Sequence, residues 1–282
     1  MSDSPHPSAP DARLHALIEA AVRADGHPPF SDGSLAELAT GARRLVWLGP
    51  AAALVSERDA EFVVHPDARR LGHGTAMLNE LLTAAPGELL LWAHGAHPAA
   101  RRLAATHGLE PVRELLRLRA EVPAERGEVA EAAARVEAGL AAGVVGEVLE
   151  LNARAFAGHP EQGNLTHEQF DALAAEPWFD PANVLLLRGA AEPATLLGFC
   201  WLKIEGTTGE FYVVAVDPSH QGEGVGRSLM AAGFARLAER GIREAILYVE
   251  ADNTAALRLY REFGFHEDSI DIQYRWASEP DD

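Results

Sequence analysis

Three glycines in the second half of the chain have the spacing of a phosphate-binding turn. Gly222, Gly224 and Gly226 alternate with polar residues, and an apolar pattern with helical spacing follows them. A glycine-rich turn at the start of a helix exposes backbone N–H groups that lack intrahelical partners, and the helix dipole adds positive potential there. The stretch therefore predicts a phosphate-binding turn, with a merely flexible turn as the alternative.

The composition restricts the ligands and partners of such a turn. The 282 residues carry a formal net charge of −18, which argues against nucleic acid and anionic membranes as partners. The single cysteine, Cys200, excludes an internal disulfide framework and a cysteine-based metal cluster. No apolar run reaches the length of a membrane span, and the first residues do not have the pattern of a secretory signal. We expect a cytoplasmic, monomeric protein without a metal ion.

The chain contains an internal repeat. Residues Val63–Leu78 match Ala215–Met230 at an offset of 152, and His97–Leu109 match Asn253–Phe265 at an offset of 156. The period is far longer than that of a solenoid repeat. Two ordered matches at nearly equal offsets therefore predict two copies of one domain.

The two copies are expected at residues 11–122 and 123–282, after a disordered tail at residues 1–10. Hydrophobic periodicity predicts a helix over Leu14–Val22 in the first copy and strands at RLVWLG, AAALVSE and AEFVVHP. In the second copy it predicts a helix around Val148–Phe156, strands at NVLLLRG, LLGFCWLKIEG, GEFYVVAVDP, EAILYVEA and SIDIQYRW, and helices at GRSLMAAGFARLAERG and NTAALRLYREFG. Each copy is predicted to be an α/β layer structure with a mixed sheet.

Two other phosphate-binding folds agree poorly with this pattern. A P-loop requires Gly-Lys-Ser/Thr, whereas the chain has Gly226-Arg227-Ser228 with a different spacing before it. In a Rossmann unit, the strand that follows the glycine turn and its helix ends in an acidic residue, and Glu250 occupies that position here. However, a Rossmann unit begins as a β-α-β unit rather than with the meander predicted upstream of this turn.

The full set of motifs resembles the GCN5-related N-acetyltransferase (GNAT) family. The resemblance is carried by Val214-Ala215-Val216, Gln221-x-x-Gly224-x-Gly226, Asn253-x-x-Ala256, Leu259-Tyr260 and Gly264-Phe265. It implies two tandem GNAT domains, each a mixed, mostly antiparallel sheet flanked by helices, with acetyl-CoA as co-substrate. It also implies that the N–H groups of the turn surround the CoA pyrophosphate, while the preceding strand pairs with the pantetheine arm.

The resemblance names the residues expected to bind acetyl-CoA in each copy. In the second copy they are Val214, Ala215, Val216, Gln221, Gly222, Glu223, Gly224, Val225, Gly226, Arg227, Asn253, Thr254, Ala255, Ala256, Leu257 and Arg258. In the first copy they are Phe62, Val63, Val64, Arg69, Arg70, Leu71, Gly72, His73 and Gly74.

Acetyl transfer to an amine requires an acceptor for the ammonium proton, donors for the oxyanion and a proton for the leaving thiolate. Glu210 shares a face of its predicted strand with Tyr212 and Val214, and a carboxylate there could accept the amine proton. The resemblance implies that Tyr260 faces the CoA sulfur as general acid and that the backbone N–H near Val214 is the oxyanion donor. A solvated glutamate and a core tyrosine are the alternatives for the two side chains.

The first copy is expected to lack this chemistry. At the offsets of the two matches, Glu210 aligns with Arg58 and Tyr260 aligns with Ala104. The glycine turn is retained in the first copy. We therefore expect this copy to hold CoA or to support the second copy, without catalysing transfer.

Longer segments of the second copy resemble the mycothiol synthase family, which acetylates the cysteinyl amine of cysteinyl-glucosaminyl-inositol. They are NARAFAGHPEQG, GEFYVVAVDP and LYVEADNTAALRLY. The resemblance implies acceptor contacts at Asp32, Glu161, Lys203, Glu210 and Tyr248. Carboxylate and ammonium groups suit a hydroxyl-rich amino-sugar and inositol ligand, and Lys203 is the only lysine in the chain. Cys200 is expected to be a buried apolar residue on the strand face opposite Lys203.

Two other functions remain open at the level of sequence. One is a GNAT enzyme that acetylates another small-molecule or peptide amine. The other is a tandem CoA-binding module without activity, against which Glu210 and Tyr260 argue.

Overall fold

The computed structural model describes residues 12–123, 135–157, 163, 165–190 and 195–277. They form two compact units that do not divide the chain at a single point. The first unit contains the chain up to Leu116, residues 250–252 and the chain from Ser269 onward. The second unit contains residues 117–249 and 253–268.

The first unit is a mixed sheet covered by helices on both faces. Its strands lie in the order β1 (Arg44–Leu48), β2 (Ala51–Val55), β3 (Asp59–Val64), β4 (Glu88–Ala93) and β11 (His266–Ala277). Its helices are α1 (Ala12–Asp25), α2 (Asp32–Thr40), α3 (His73–Ala84) and α4 (Pro98–Thr106). The β1–β2, β2–β3 and β4–β11 pairs are antiparallel, and the β3–β4 pair is parallel.

Strand β2 shows why both faces of this sheet are covered. Ala52 and Leu54 pack against α1 residues such as Leu17, whereas Ala53 and Val55 join a core with residues of α3. Successive side chains of a strand point to opposite faces. All five residues of β2 are therefore buried, and all five are apolar.

The second unit repeats this plan. Its strands lie in the order β5 (Glu110–Glu121), β10 (Glu244–Glu250), β9 (Thr208–Val216), β8 (Leu196–Glu205), β7 (Val184–Arg188) and β6 (Val136–Ala138). Its described helices are α5 (Val145–Ala155), α6 (His167–Ala174), α7 (Val225–Glu239) and α8 (Thr254–Glu262). Helices α5 and α6 pack on the sheet face that carries Phe199 and Trp201. Helix α7 packs on the other face, where a Cβ added to Gly209 would lie 2.3 Å from Leu237.

Strands β5 and β11 each begin in one unit and end in the other. Residues of β5 up to Leu116 belong to the first unit, and the strand continues in the second unit from Arg117. In β11, Asp268 belongs to the second unit, whereas the strand from Ser269 belongs to the first. Strand β11, which lies at least 150 residues after Leu116, thus belongs largely to the first unit.

The structure confirms the predicted α/β fold and each helix and strand named from the sequence, within a few residues at the ends. The domain boundary after residue 122 stays a prediction, since the compact units share strands across it. The predicted tail and residues 124–134, which follow the predicted boundary, lie outside the described residues. None of the helices described is both long enough and apolar enough to cross a membrane.

Candidate functional site

Two parallel strands of the second unit separate after a short stretch of pairing. Strands β9 and β10 join through three residue pairs, which end with Glu210 opposite Ile246. Beyond this point β9 continues to Val216 and β10 to Glu250, with no further register between them in the part of the chain described. The edge of β9 that borders this gap can therefore pair with an extended ligand.

A β-bulge follows Glu210 directly. Strands β8 and β9 pair Trp201 with Val213 and Leu202 with Phe211, so Tyr212 is an extra residue in β9. A bulge bends its strand and redirects the neighbouring backbone groups. The bulge therefore lies where the gap begins, and it corrects the prediction that Glu210 and Val214 share a face. Glu210 pairs with Lys203 and Val214 pairs with Cys200, and these two residues of β8 point to opposite faces.

The glycine turn connects β9 to α7. Gly222 and Gly224 have φ angles of 82° and 81°, and a Cβ at either would meet no atom within 4 Å. Glycine is therefore required by the left-handed backbone and not by packing. Gly224 is the N-cap of α7, and no side chain caps this helix end. The first N–H groups of α7 are consequently available to an anionic ligand.

An arginine–carboxylate pair joins this turn to α5. Arg154 donates from Nε and Nη2 to one oxygen of Asp217, at 3.1 and 2.9 Å. The other oxygen accepts the backbone N–H of Ser219 at 3.0 Å. Hydrogen bonds from Ser219, together with Arg154, lower the pKa of Asp217 to about 2. Asp217 is therefore ionised at neutral pH and fixes the start of the turn.

Tyr260 is a buried residue of α8. Its ring packs edge-on against Phe265, with 6.0 Å between centroids. Burial raises the pKa of the Tyr260 phenol, and the nearby Cys200 thiol adds to this effect. Cys200 in β8 is paired with Val214 in β9, the residue of the predicted oxyanion donor. The hydroxyl stays protonated at neutral pH, as a general acid must.

Three predicted acceptor residues share one face of the sheet. Lys203 in β8 is directly opposite Glu210 in β9, and paired residues of neighbouring strands point to the same side. Tyr248 follows Ile246 by two residues in β10, so it points to this side as well. Lys203 is 9% exposed and Tyr248 is 43% exposed. This face therefore carries the side chains of a glutamate, a lysine and a tyrosine.

The remaining predicted residues of the second unit lie along the same gap and turn. The acetyl-CoA residues 214–216 are in β9, residues 221–227 form the turn and the start of α7, and residues 253–258 begin α8. Asn253 caps α8 by accepting the N–H of Ala256 at 3.1 Å. Glu161 lies outside the described residues, and Asp32 is an exposed residue at the start of α2 in the first unit.

The first unit has a gap of the same construction and a cavity within it. Strands β3 and β4 also join through three parallel pairs, which end with Glu61 opposite Trp92. A cavity of about 1190 Å³ is lined by the end of β3, the glycine turn, the end of β4 and α4. Of the residues predicted to bind acetyl-CoA here, those lining the cavity are Phe62, Val63, Val64, Arg69, Arg70, Gly72 and Gly74. Leu71 and His73 do not line it, and Leu71 is 70% exposed.

The turn of the first unit keeps its backbone shape although one glycine is replaced. Arg70 occupies the position of Gly222 and has a φ of 62°, a left-handed angle that costs a residue with a side chain about 1–3 kcal/mol. Arg69 donates to Val64 O at 3.2 Å and holds both oxygens of Asp25 at 2.6 and 2.7 Å. Arg69 can therefore contribute its backbone to a ligand, while its guanidinium is engaged within the protein.

The strand register corrects the alignment that placed Arg58 at the position of Glu210. Glu61 is in the third residue pair of the parallel strands β3 and β4, and Glu210 is in the third residue pair of the parallel strands β9 and β10. These two carboxylates are therefore structurally equivalent. The segment from Glu210 to Gly224 is three residues longer than that from Glu61 to Gly72, and it includes the bulge. A constant offset from the turn therefore misaligned the strands. The Glu-Phe dipeptide that starts both segments was the sequence signal that could have revealed this.

Glu61 nevertheless has very different surroundings from a solvent-accessible base. It is 1% exposed and accepts hydrogen bonds from Ser31 N, Ser31 Oγ and Ser34 Oγ at 2.6–2.9 Å. His94 Nε2 lies 3.4 Å from Glu61, and His94 Nδ1 lies 2.8 Å from Asp271 on β11. The first unit thus has a carboxylate at the position of Glu210, and this carboxylate is enclosed in a buried polar cluster.

The charges within this cluster stabilise one another. Burial would raise the pKa of Glu61, but His94 and the serine donors lower it to about 2. Burial would lower the pKa of His94, but Asp271 and Glu61 raise it to about 10. Both groups are therefore ionised over the whole neutral range.

Two further expectations concern cysteine and metals. Cys200 is fully buried, and burial raises the pKa of its thiol, which agrees with an apolar rather than a nucleophilic role. Within the described ranges, no group of three or more His, Cys, Asp or Glu side chains is arranged to hold a metal ion.

Sequence comparisons give close matches along nearly the whole chain. The profile of the Acetyltransferase (GNAT) family matches residues 147–265. A mycothiol acetyltransferase of Clavibacter michiganensis subsp. michiganensis is 45% identical over 284 residues, covering 94% of this chain and 92% of the relative. A mycothiol acetyltransferase of Kocuria rhizophila is 37% identical, covering 96% and 98% of the two chains.

Solved structures agree with the fold over a similar length. A GCN5-related N-acetyltransferase from Sphaerobacter thermophilus has a TM-score of 0.66 at 24% identity, covering 95% of this chain and 92% of that one. A tandem GNAT protein from the clavulanic acid biosynthesis pathway has a TM-score of 0.66 at 16% identity, with 96% and 95% coverage. At these identities the likeness shows the fold alone.

Proposed function

The chain belongs to the mycothiol acetyltransferase family, and on that basis we propose that it acetylates the cysteinyl amine of cysteinyl-glucosaminyl-inositol to form mycothiol and CoA. It is an acetyl-CoA-dependent N-acetyltransferase of the GNAT fold. The observation that carries the proposal is the gap between β9 and β10. Glu210 stands where the two strands stop pairing, and the glycine turn after β9 leads into the uncapped start of α7.

The chemistry assigned to this gap is direct transfer. Glu210 accepts a proton from the acceptor ammonium, directly or through water, and the neutral amine then attacks the thioester carbonyl carbon. Backbone N–H groups near Val214 stabilise the oxyanion. The C–S bond breaks as the carbonyl re-forms, and Tyr260 protonates the CoA thiolate. The nitrogen loses its second proton as the neutral amide forms, and this proton restores the Tyr260 phenol directly or through water. The glycine turn holds the pyrophosphate by its backbone, so the net charge of −18 does not prevent binding of this anionic co-substrate.

The acceptor is assigned to the face with Glu210, Lys203 and Tyr248. These groups provide acceptors and donors for a ligand rich in hydroxyl groups. Asp32 and Glu161 are assigned to the same ligand by family resemblance alone. We further assign the protein to the cytoplasm as a monomer that does not bind nucleic acid or membranes.

The first unit is assigned a non-catalytic role. Its cavity and its left-handed turn support binding of a second CoA molecule. The enclosure of Glu61 leaves it without an available base, and Ala104 stands where the second unit has Tyr260.

The proposal is tested by measuring CoA release from acetyl-CoA with three reaction mixtures. They contain the cysteinyl pseudodisaccharide, a plain amino sugar such as glucosamine, or no acceptor. We expect turnover only with the first. Equal turnover with glucosamine would indicate a different amine acceptor, and binding of acetyl-CoA without turnover in any mixture would indicate a non-enzymatic module.

A further inference from the structure

An aromatic cluster covers part of the sheet face that carries Glu210. Trp178 follows α6 and contacts Trp201 in β8 and Tyr212 at the bulge, with ring centroids 5.8 and 5.3 Å away. Phe179 holds the indole from a third side at 6.4 Å. Rings in tilted and edge contacts of this kind have little freedom to move. The half-buried indole of Trp178 is thus a fixed surface on the assigned acceptor side.

Lys203 rests on this surface. Its ammonium lies 5.3 Å from the centroid of the Trp178 ring and 2.9 Å from the carboxylate of Glu205. A largely buried ammonium requires compensation for lost hydration, and an aromatic face and a carboxylate both supply it. Both contacts hold the ammonium of Lys203 beside the Trp178 ring.

The position of Lys203 determines which part of the acceptor it can serve. Lys203 and Glu210 are directly opposite each other in neighbouring strands, about 5 Å apart at their Cβ atoms. The acceptor amine must approach Glu210 as a cation, and a second cation beside it would oppose that approach. An ammonium is, however, a good donor to neutral hydroxyl oxygens. Lys203 is therefore suited to the sugar and inositol portion of the acceptor rather than to its amine.

We propose that Trp178 is a positioning residue for acceptor specificity: its indole holds Lys203 where the ammonium binds hydroxyl groups of the sugar–inositol portion. This inference rests on the proposed function. Trp178 does not touch the reacting atoms, so its loss should weaken recognition of the polyhydroxylated portion and leave amine activation intact.

The test compares two acceptors on the same variants. One is cysteinyl-glucosaminyl-inositol, and the other is cysteine amide, which keeps the amine and lacks the rings. For Trp178→Leu we expect kcat/KM for the full acceptor to fall about 5- to 30-fold, mainly through KM, as a desolvated cation–π contact predicts. The kcat/KM for cysteine amide should change less than twofold. Trp178→Phe, which keeps an aromatic face, should restore most of the loss.

Phe179→Leu is the matched control, because it removes an aromatic ring from the same cluster whereas the ammonium lies over the Trp178 ring. It should lower the melting temperature without changing the ratio of kcat/KM between the two acceptors. A double-mutant cycle with Lys203→Met completes the test, since the effect of Trp178→Leu on the full acceptor should vanish in that background.

Equal losses for both acceptors in Trp178→Leu, or an undiminished effect in the Lys203→Met background, would overturn the inference. If Trp178→Leu does not fold, the inference is tested instead with Trp178→Phe and Lys203→Met. The measured quantity is again the ratio of kcat/KM between the two acceptors. Absence of wild-type turnover with the full acceptor would instead refute the proposed function. The two failures are therefore distinguishable.

Discussion

At the scale of single residues, equivalent carboxylates in the two units differ in burial. Glu61 and Glu210 occupy the same position of the parallel register. Glu61 is enclosed by Ser31, Ser34 and His94, whereas Glu210 is half-buried at the start of an open gap. A carboxylate held ionised by several donors is a poor base. Residue identity alone therefore does not decide which unit can catalyse.

Tyr260→Phe tests the assigned acid. The change removes one hydroxyl group from a buried ring and should leave its packing on Phe265 unchanged. We expect kcat to fall about 10²- to 10⁴-fold, the usual contribution of a positioned acid or base, with acetyl-CoA affinity nearly unchanged. Steady-state kinetics and calorimetric binding measure the two quantities. A kcat within a few-fold of wild type would make Tyr260 a core residue only.

Glu210→Gln tests the assigned base through its pH dependence. A free α-amino group has a pKa of roughly 7.7–8.0, so base assistance matters most at lower pH, where the amine is protonated. The ratio of wild-type to variant kcat/KM should therefore be larger at pH 6.5 than at pH 9. Parallel profiles across this range would leave Glu210 with a binding role alone.

His94→Gln tests the buried cluster by its effect on stability. The pKa of His94 rises from 6.5 unfolded to about 10 folded, so its contribution is complete below pH 6.5 and is lost as the pH rises toward 10. The wild-type melting temperature should fall over that interval. In His94→Gln it should be lower at pH 6 and should fall much less toward pH 10. An unchanged slope in the variant would show that His94 is not protonated in the folded state.

At the scale of elements, the glycine turn is the feature that both units share most closely. Gly72 and Gly224 have φ angles of 87° and 81°, and each precedes a helix without a side-chain cap. Their Cβ positions are empty. Any substitution there acts through the backbone and through the approach of a ligand, not through a clash within the protein.

Gly224→Val and Gly72→Val together test the division of labour. A valine at either position is strained by about 1–3 kcal/mol and should distort the turn. We expect Gly224→Val to abolish transfer, and Gly72→Val to leave the chemical step largely intact while removing any CoA bound in the first unit. Turnover and CoA stoichiometry are measured for each variant. A folded Gly72→Val protein without turnover, beside an active Gly224→Val protein, would reverse the assignment.

Periodicity predicted the elements well because each pattern is local. The alternation in β9 and the helical stripe of α1 are visible in a window of a few residues. The equivalence of Glu61 and Glu210 was missed because a bulge and a longer strand change the spacing. The partners of Arg69 and Arg154 were not predicted either, because each pairs with a residue more than 40 positions away.

At the scale of the whole molecule, the first unit is assembled from both ends of the chain. Residues Ile272 and Tyr274 of β11 belong to the apolar core of the first unit, and Asp271 completes its buried polar cluster. These residues lie far beyond the predicted domain boundary. We therefore predict that the two sequence repeats are not independent folding units.

Expressing residues 1–122 and residues 123–282 as separate fragments tests this dependence. The first fragment lacks β11, and the second lacks the part of β5 that belongs to its unit. We expect neither fragment to unfold cooperatively on heating, whereas the full chain should. Circular dichroism of both fragments and of the intact chain provides the comparison. A cooperative transition in the first fragment alone would show that β11 is dispensable for that unit.

The late position of β11 also has a consequence for biosynthesis. A ribosome that adds about 5–20 residues per second needs on the order of ten seconds to pass from Leu116 to Ser269. During that interval the nascent first unit has an uncovered edge at β4 and an incomplete interior. Such an edge is open to pairing with foreign strands. Nascent chains should therefore associate with holding chaperones for as long as the final strand has not emerged from the exit tunnel.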